Sequence, residues 1–301
     1  MDTIWAKIDT INETSYDTNT LSVITKDNER LTCRIDEESE VKTGEIYRFD
    51  VEKIIFKERE QFLIKTFTHI LDCHLPLDEI ESLMRIFYTY APVEITTVKK
   101  QIEAELETLE NPIIKAITMD IYHRYQNDFY RYPAATKFHH AYIGGLSYHT
   151  NTMLKLAHGL LNTYAFLNKD LLISGIVLHD ICKTIELSDY KEPEYTTEGR
   201  LIGHITMGVK EITKTTLKLN HYDTEERLLL EHMILSHHYY GNFGSPKKPN
   251  IPEALALHYI DNIDSKFTVL GEALNNIDEG EFTPPLPVLD REKFYKSKLK
   301  K

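Results

Sequence analysis

The chain has 301 residues, 42% hydrophobic and 27% charged, an ordinary composition for folded globular units with a sizeable core. No apolar run reaches the roughly 20 residues of a membrane helix, and the charged start MDTIWAKIDT does not read as an export signal. A net charge of −12 speaks against broad nonspecific nucleic-acid binding, though not against a local basic groove, and three scattered cysteines (Cys33, Cys73, Cys182) fit reduced thiols in a cytoplasmic protein.

The first 75 residues read as strands. Trp5 to Ile11, Leu21 to Thr25, Arg30 to Ile35, Ile46 to Phe56 and Gln61 to Phe67 are short and rich in β-branched and aromatic residues. Leu31, Cys33 and Ile35 alternate with Thr32 and Arg34, the period of a half-buried strand, and Asp27-Asn28 and Thr43-Gly44 supply turns. Five such strands predict a small barrel, with an OB-like fold the leading candidate and an unspecialised β-subdomain the alternative. The pattern turns helical from Leu77, where Leu83, Ile86, Phe87 and Tyr90 recur at three and four. It breaks at Pro92, resumes as a charged helix to Glu110, and restarts at Asn111-Pro112, a cap followed by proline in the first turn. Residues 76–132 carry no catalytic signature and read as a helical linker or scaffold.

Residues 133–301 are different. His149 lies four residues before Met153, on a stripe continuing through Leu156, Leu160 and Tyr164, and so points inward. Asp170 is a plausible cap for the helix that ends in His179-Asp180, with Lys183 three places on. Leu201, His204 and Gly208 share the next face. Thr224 caps a helix that aligns Leu230, Met233 and His237, and Pro252 opens a last helix with Leu257, Asp261 and Asp264 on one side. Five consecutive helices thus each offer a titratable group against an apolar stripe, which is costly unless the groups share a partner. Neutral imidazole and carboxylate both ligate Zn, Mn or Fe. His149, His179, Asp180, His204, His237 and Asp261 exceed what one catalytic ion with open positions needs, so two ions bridged by Asp180 are expected.

This H…HD…H…H…D order, with its spacing and helix placement from about His139 to Phe267, resembles the HD-domain phosphohydrolases. The stretches YPAATKFHHAYIGGLSYHT, LHDICKTIEL, EGRLIGHI, ILSHHYYGNFGSPKKP and ALHYIDNIDSK resemble more narrowly the YhaM-type 3′→5′ exoribonucleases of Gram-positive bacteria, which also pair an N-terminal OB-fold with an HD domain. Cys182 stands where HD-family enzymes usually have glycine. The resemblance implies an α+β chain, an OB-like barrel followed by an all-α HD-domain bundle. It also implies metal-dependent removal of nucleotides from the 3′ ends of single-stranded RNA, with single-stranded DNA as a further candidate and no membrane partner. Manganese is the expected ion, with cobalt, iron and magnesium as alternatives; a homo-oligomer is left open.

In that scheme Lys183 offsets charge on the transition state, and Asp264 supports a ligand rather than binding metal. His238 is either a further phosphate or metal contact or a surface neighbour, and His140 is the best of the remaining histidines for substrate contact. His139, His158, His232 and His258 are read as structural or surface. Lys247 and Lys248, held outward between Pro246 and Pro249, are expected near the mouth of the site, with Phe56, Lys57, Arg59 and Phe62 adding contacts on the barrel. Two rivals remain: an HD phosphohydrolase of nucleotides or cyclic dinucleotides, and a nucleic-acid-binding regulator with an inactive HD domain.

Overall fold

The structure is a computed structural model that describes residues 2–14, 18–136 and 140–299. It separates into two compact units, residues 1–89 and 90–301. No helix among the described residues is long and apolar enough to cross a membrane.

The first unit is a closed five-stranded barrel in the order β1-β2-β3-β5-β4, built from β1 (Asp2–Glu13), β2 (Thr18–Thr25), β3 (Arg30–Asp36), β4 (Ile46–Phe56) and β5 (Arg59–His69). All pairs are antiparallel except β3 with β5, where Cys33 faces Phe62 and closes the barrel. The alternation read from sequence is visible in burial: Leu21, Val23, Cys33, Ile35, Phe49 and Val51 point inward. β1, β2, β3 and β5 run past the spans read from sequence, mostly into polar residues that continue the ladder, whereas β4 coincides with its span. Phe56 and Arg59 pair at the β4–β5 tip across Lys57 and Glu58, both left-handed, and the Arg34 guanidinium lies 4.0 Å from the Phe56 ring centre. Helix α1 (Leu77–Phe87) belongs to this unit.

The second unit holds α2 (Ile95–Glu107), α3 (Pro112–Phe129), α4 (Gly145–Thr163), α5 (Lys169–Leu178), the short α6 (Lys183–Glu186), α7 (Thr197–Lys218), α8 (Glu225–Ser236) and α9 (Pro252–Asn275). Its axis is α5, where Leu171 to Leu178 are buried on every side and which packs against α3, α4, α8 and α9. A helix apolar all round belongs in the middle of a bundle. Gly175 allows close approach there, since a Cβ would lie 2.2 Å from the Met233 methyl. Helices α2 and α3 are part of the same core through Val98, Ile102, Ile117, Ile121 and Phe129.

Capping follows the sequence at Asn111, whose side chain accepts from the Ile113 and Ile114 amides, and at Thr224, which accepts from Arg227. It departs at α5. Asn168 is the cap, and Asp170, in the first turn, instead accepts the Glu110 and Asn111 amides at 2.8 and 2.5 Å. Asp170 thereby ties the α2–α3 turn to the central helix.

A charged clamp joins α3 to α7, with Arg124 2.6 Å from the buried Glu211 and Lys214 on its other oxygen at 2.7 Å. Burial raises the Glu211 carboxyl, but Lys214 and Arg124 outweigh it and hold it below its ordinary 4.5. A depressed carboxylate stabilises the fold above its unfolded value, and that stability is lost as pH falls through the folded value. Glu211→Gln is therefore expected to lower unfolding free energy at pH 7, by about 1 kcal/mol given the exposed partners. The difference from wild type should shrink as pH falls below the ordinary 4.5 in urea titrations; a constant gap would assign Glu211 a packing role only.

Candidate metal centre

Six of the singled-out side chains converge on one buried point. His149 comes from α4, His179 caps the C-terminus of α5, Asp180 follows it in the turn, His204 lies on α7, His237 caps the C-terminus of α8, and Asp261 is on α9. His179 and His237 use the same local device. Each sits one residue beyond its helix and donates Nδ1–H to a last-turn carbonyl that has lost its helical partner, Ile176 and Ile234 respectively, both at 2.8 Å. A carbonyl can only accept, so the neutral ring carries its proton on Nδ1 and turns the Nε2 lone pair inward. His204 reaches the same state through Glu186, which accepts from Nδ1 at 3.0 Å and from the His204 backbone amide at 3.0 Å. His149 donates Nδ1–H to Asp264 at 2.6 Å.

The inward atoms are spaced as ligands of a common cation. His179 Nε2 is 3.2 Å from Asp180 Oδ2, His204 Nε2 is 3.3 Å and His237 Nε2 3.9 Å from Asp180 Oδ1, and His149 Nε2 is 3.4 Å from Asp261 Oδ1. Two donors each about 2.1 Å from one ion are separated by roughly 3.0–3.4 Å. The Nε2 atoms of His179, His204 and His237 and Asp180 Oδ1 are buried with no hydrogen-bond partner. Such atoms are rare in proteins, and four aimed at one point fit a divalent cation. The donors fall into two sets that share Asp180: His149, His179 and Asp180, and Asp180, His204, His237 and His238. His140, His149 and Asp264 also cluster, but as a hydrogen-bonded chain.

Electrostatics agree. Burial opposes the Asp180 charge, yet His179 when protonated, with Lys183 beside it, holds the carboxyl well below the usual range, and a cation bound among neutral rings would supply the same positive charge. Burial, with His238 and His179 beside it, keeps the His237 imidazole well below 6.5. His149 is the exception, pushed up to about 9 against its burial by Asp261 and Asp264. Lys183 lies 2.7 Å from Asp180 Oδ2 and donates to the Ala134 carbonyl at 2.7 Å. Burial lifts the Cys182 thiol to about 12, so the residue standing in for glycine is an inert neutral wall.

Above this floor opens a cavity of about 850 Å³ lined by Asp180, Lys183, His204, His238, Tyr195 and Tyr240, by Asp261, Asn262, Ser265 and Lys266 on α9, and by Pro287, Val288 and Asp290. His238 joins both the cavity and the Asp180 set. His140, expected at the substrate, is instead fully buried: Nε2 bonds Asp264 at 2.7 Å and Nδ1 bonds the Tyr142 hydroxyl at 2.6 Å, so it orients His149 from behind. Asp264 Oδ2 lies between His149 Nδ1 at 2.6 Å and His140 Nε2 at 2.7 Å. Lys247 and Lys248 are exposed and do not line the cavity, although their loop is fastened to it by the His238 amide donating to Ser245 Oγ. His139 lies outside the described residues. Two groups escaped the sequence reading. His258 lines the cavity and donates Nδ1–H to the His237 carbonyl, and Glu186 holds His204. Neither bears a spacing signal: Glu186 acts because the chain folds back through a kink.

That kink is at Gly203, where φ 74° and ψ 154° interrupt α7 and free the His204 amide for Glu186. It also breaks the stripe drawn through Leu201, which is 80% exposed. A Cβ at Gly203 would meet nothing closer than Glu186 Oε1 at 3.8 Å, so the requirement is purely backbone. Gly203→Ala is expected to cost about 1–3 kcal/mol of stability. Misplacing His204 should weaken metal binding by about 10–100-fold, as loss of a ligand's orienting contact does. Thermal unfolding and metal titration check both; a normal metal affinity would detach the kink from the centre.

Residues 146–266, which carry this buried His/Asp floor, match the model of the HD domain. The chain is further similar, at 44% identity over 210 residues, to the "3'-5' exoribonuclease YhaM" of Geobacillus sp. (strain WCH70). The aligned region is 70% of this chain and 64% of that relative's length.

Proposed function

We propose that this protein is a metal-dependent 3′→5′ exoribonuclease that removes mononucleotides from single-stranded RNA. The observation that carries the proposal is the convergence of buried, unpartnered Nε2 and carboxylate atoms on Asp180 at the floor of the cavity, in a chain similar to an exoribonuclease. His149, His179, Asp180 and Asp261 would hold one divalent ion, and Asp180, His204 and His237, with His238 beside them, a second. Manganese is the expected species. Bound there, such ions supply Lewis acidity to a phosphate and lower the pKa of water. Lys183 and Lys266 place positive charge on the cavity wall, where a phosphodiester gains charge as it is attacked. His258, with Nε2 toward the cavity once Nδ1 is committed to His237, is placed to move a proton at the leaving oxygen. Tyr195 and Tyr240 offer ring faces to unstacked bases, and the barrel would hold the strand farther along, through Phe56, Lys57, Arg59 and Phe62. The catalytic residues fall within 133–301, and α2 and α3, which share the core of that unit, act as its scaffold.

The test is purified protein with Mn²⁺ and end-labelled single-stranded RNA, beside cyclic dinucleotides and mononucleotides. Progressive shortening from the 3′ end with mononucleotide release is the expected result. The cavity is also the size of a small-molecule pocket. Turnover of the small phosphates without RNA would therefore give the site to a nucleotide phosphohydrolase, and no turnover of any would leave a binding module.

The same reading places Lys247 and Lys248 on the RNA path beside the mouth. Replacing both by alanine is expected to weaken single-stranded RNA binding and to reduce the log–log salt slope by roughly 0.7 per lost phosphate contact. Fluorescence anisotropy from low to moderate salt measures both. An unchanged affinity and slope would make the pair a solubilising feature.

A further inference from the structure

One wall of the cavity comes from beyond the matched domain. After α9 the chain forms a small hairpin in which Phe282 bridges Tyr295 and Leu286 bridges Glu292, both antiparallel. Its stem is well fixed: Thr283 is buried and exchanges hydrogen bonds with Phe294, Lys296 reaches the Ile277 carbonyl with its ammonium, and Leu286 is 8% exposed. Its tip, Pro287–Leu289 followed by Asp290 and Arg291 in the left-handed region, contacts α9 and puts Pro287, Val288 and Asp290 on the cavity surface. Those three share the cavity with Asp180, yet none has a side-chain donor or a charge suited to holding phosphate. Two are apolar, and the third is a carboxylate, which repels it.

An acid on the wall of a phosphate-cleaving cavity is unhelpful to catalysis but useful for discrimination. A carboxylate accepts from a hydroxyl and rejects an anion, so it distinguishes a chain that ends in a free 3′ hydroxyl from one that continues into another phosphate. We infer that the tip of the C-terminal hairpin is the stop that makes this site act on ends: Pro287 and Val288 block the path past the terminal nucleotide, and the Asp290 carboxylate accepts its 3′ hydroxyl. The inference rests on the nuclease reading above and deepens it. The ligand is the 3′-terminal ribonucleoside of a single strand, seated between the Asp180 floor and the hairpin. Cleavage one residue from the stop releases mononucleotides, whereas an open groove at the same place would admit internal phosphates.

Two variants test this in the full chain. Asp290→Asn keeps the left-handed backbone, which asparagine tolerates, and removes the charge. In the second, Pro287 to Arg291 are replaced by a two-residue Asn-Gly turn. Because Leu286 and Glu292 are antiparallel bridge partners, that turn closes the same stem without the tip. Initial rates are compared on RNAs ending in a 3′ hydroxyl or a 3′ phosphate, and on a circular RNA, with thermal unfolding as the folding control. Wild type is expected to prefer the hydroxyl end by roughly tenfold or more, like charges apposed in a site being costly. Asp290→Asn should erase most of that ratio, which is internally normalised against any loss of overall rate. The shortened hairpin should cut circular RNA and release products longer than mononucleotides.

The stop is overturned if wild type treats the two ends alike, or if both folded variants keep the wild-type ratio and mononucleotide products. If the shortened variant fails to fold, the Asp290→Asn ratio alone decides. A wild-type protein that hydrolyses bis-p-nitrophenyl phosphate but no RNA removes the nuclease reading itself, a result distinct from an exonuclease whose hairpin proves dispensable.

Discussion

Asp180→Ala is expected to abolish hydrolysis of both RNA and bis-p-nitrophenyl phosphate and to empty both halves of the centre. Asp180 is the one residue common to the two donor sets, and its oxygens lie 3.2 Å from His179 Nε2 and 3.3 Å from His204 Nε2. Lewis-acid stabilisation is worth several kcal/mol, and at about 1.4 kcal/mol per tenfold its loss amounts to a factor of at least about 10³. The same change strands the Lys183 ammonium, which is nearly buried and paired to Asp180 at 2.7 Å. Leaving one member of such a pair unpaired costs about 3–5 kcal/mol. Lost activity alone is therefore ambiguous, and Asp180→Asn, which keeps the shape and one acceptor oxygen, is the companion variant. Both should show little bound metal by elemental analysis, while the asparagine variant keeps a cooperative unfolding transition. Wild-type turnover in a folded variant, or two metals still bound, would remove Asp180 from the centre.

Stripping the metal is expected to lower the thermal stability of the helical unit by several degrees. Without an ion, three imidazole nitrogens and a carboxylate oxygen are buried unsatisfied where α5, α7 and α8 meet. A ligand that binds only the folded state stabilises it by about 2.7 kcal/mol at a hundred times its Kd. For a unit of about 200 residues, each kcal/mol moves Tm by roughly 2–4 °C, so one site is worth roughly 5–10 °C. Metal binding must expel the proton that Asp261 and Asp264 hold on His149 up to about 9, so the gain should shrink steadily as the medium is acidified from there. Unfolding curves with chelator and with added Mn²⁺, at pH 7.5 and pH 5.5, measure this. Identical curves at pH 7.5 would mean that no ion occupies the cluster. A gain undiminished at pH 5.5 would mean that imidazoles do not supply its ligands.

Much of this was readable without coordinates, for identifiable reasons. A titratable residue on an apolar stripe is conspicuous in one dimension, because helical periodicity assigns it a direction. His149 before Met153, His237 after Met233 and Asp261 after Leu257 were found that way, and their convergence followed from the cost of burying each alone. The barrel was legible because alternation of period two and turn residues are local signals. Asn111 and Thr224 were legible as caps, whereas Asp170 was misassigned because two side chains near one helix start, Asn168 and Asp170, compete for the same role. Only their reach to other backbone amides separates them.

What local pattern cannot carry is contact between segments far apart in the chain. Periodicity ran Leu201 and His204 along one face, but the backbone of Gly203 leaves the helix there, exposing Leu201 and giving His204 to Glu186. His140 has the composition of a substrate contact, and only its bond to Asp264, 124 residues away, shows that it stands behind His149. His258 is one more histidine in the sequence, and is held at the cavity because the His237 carbonyl accepts a hydrogen bond from its Nδ1. The hairpin at 282–295 has no periodic signal, yet it walls the site. The sequence by itself determined the barrel, the helical bundle and the inward His and Asp residues, because burial and backbone geometry act over a few residues. Only the tertiary structure decided which nitrogen of each histidine faces the centre, which acids hold them and what closes the cavity, because those choices are hydrogen bonds and contacts between helices, loops and the hairpin.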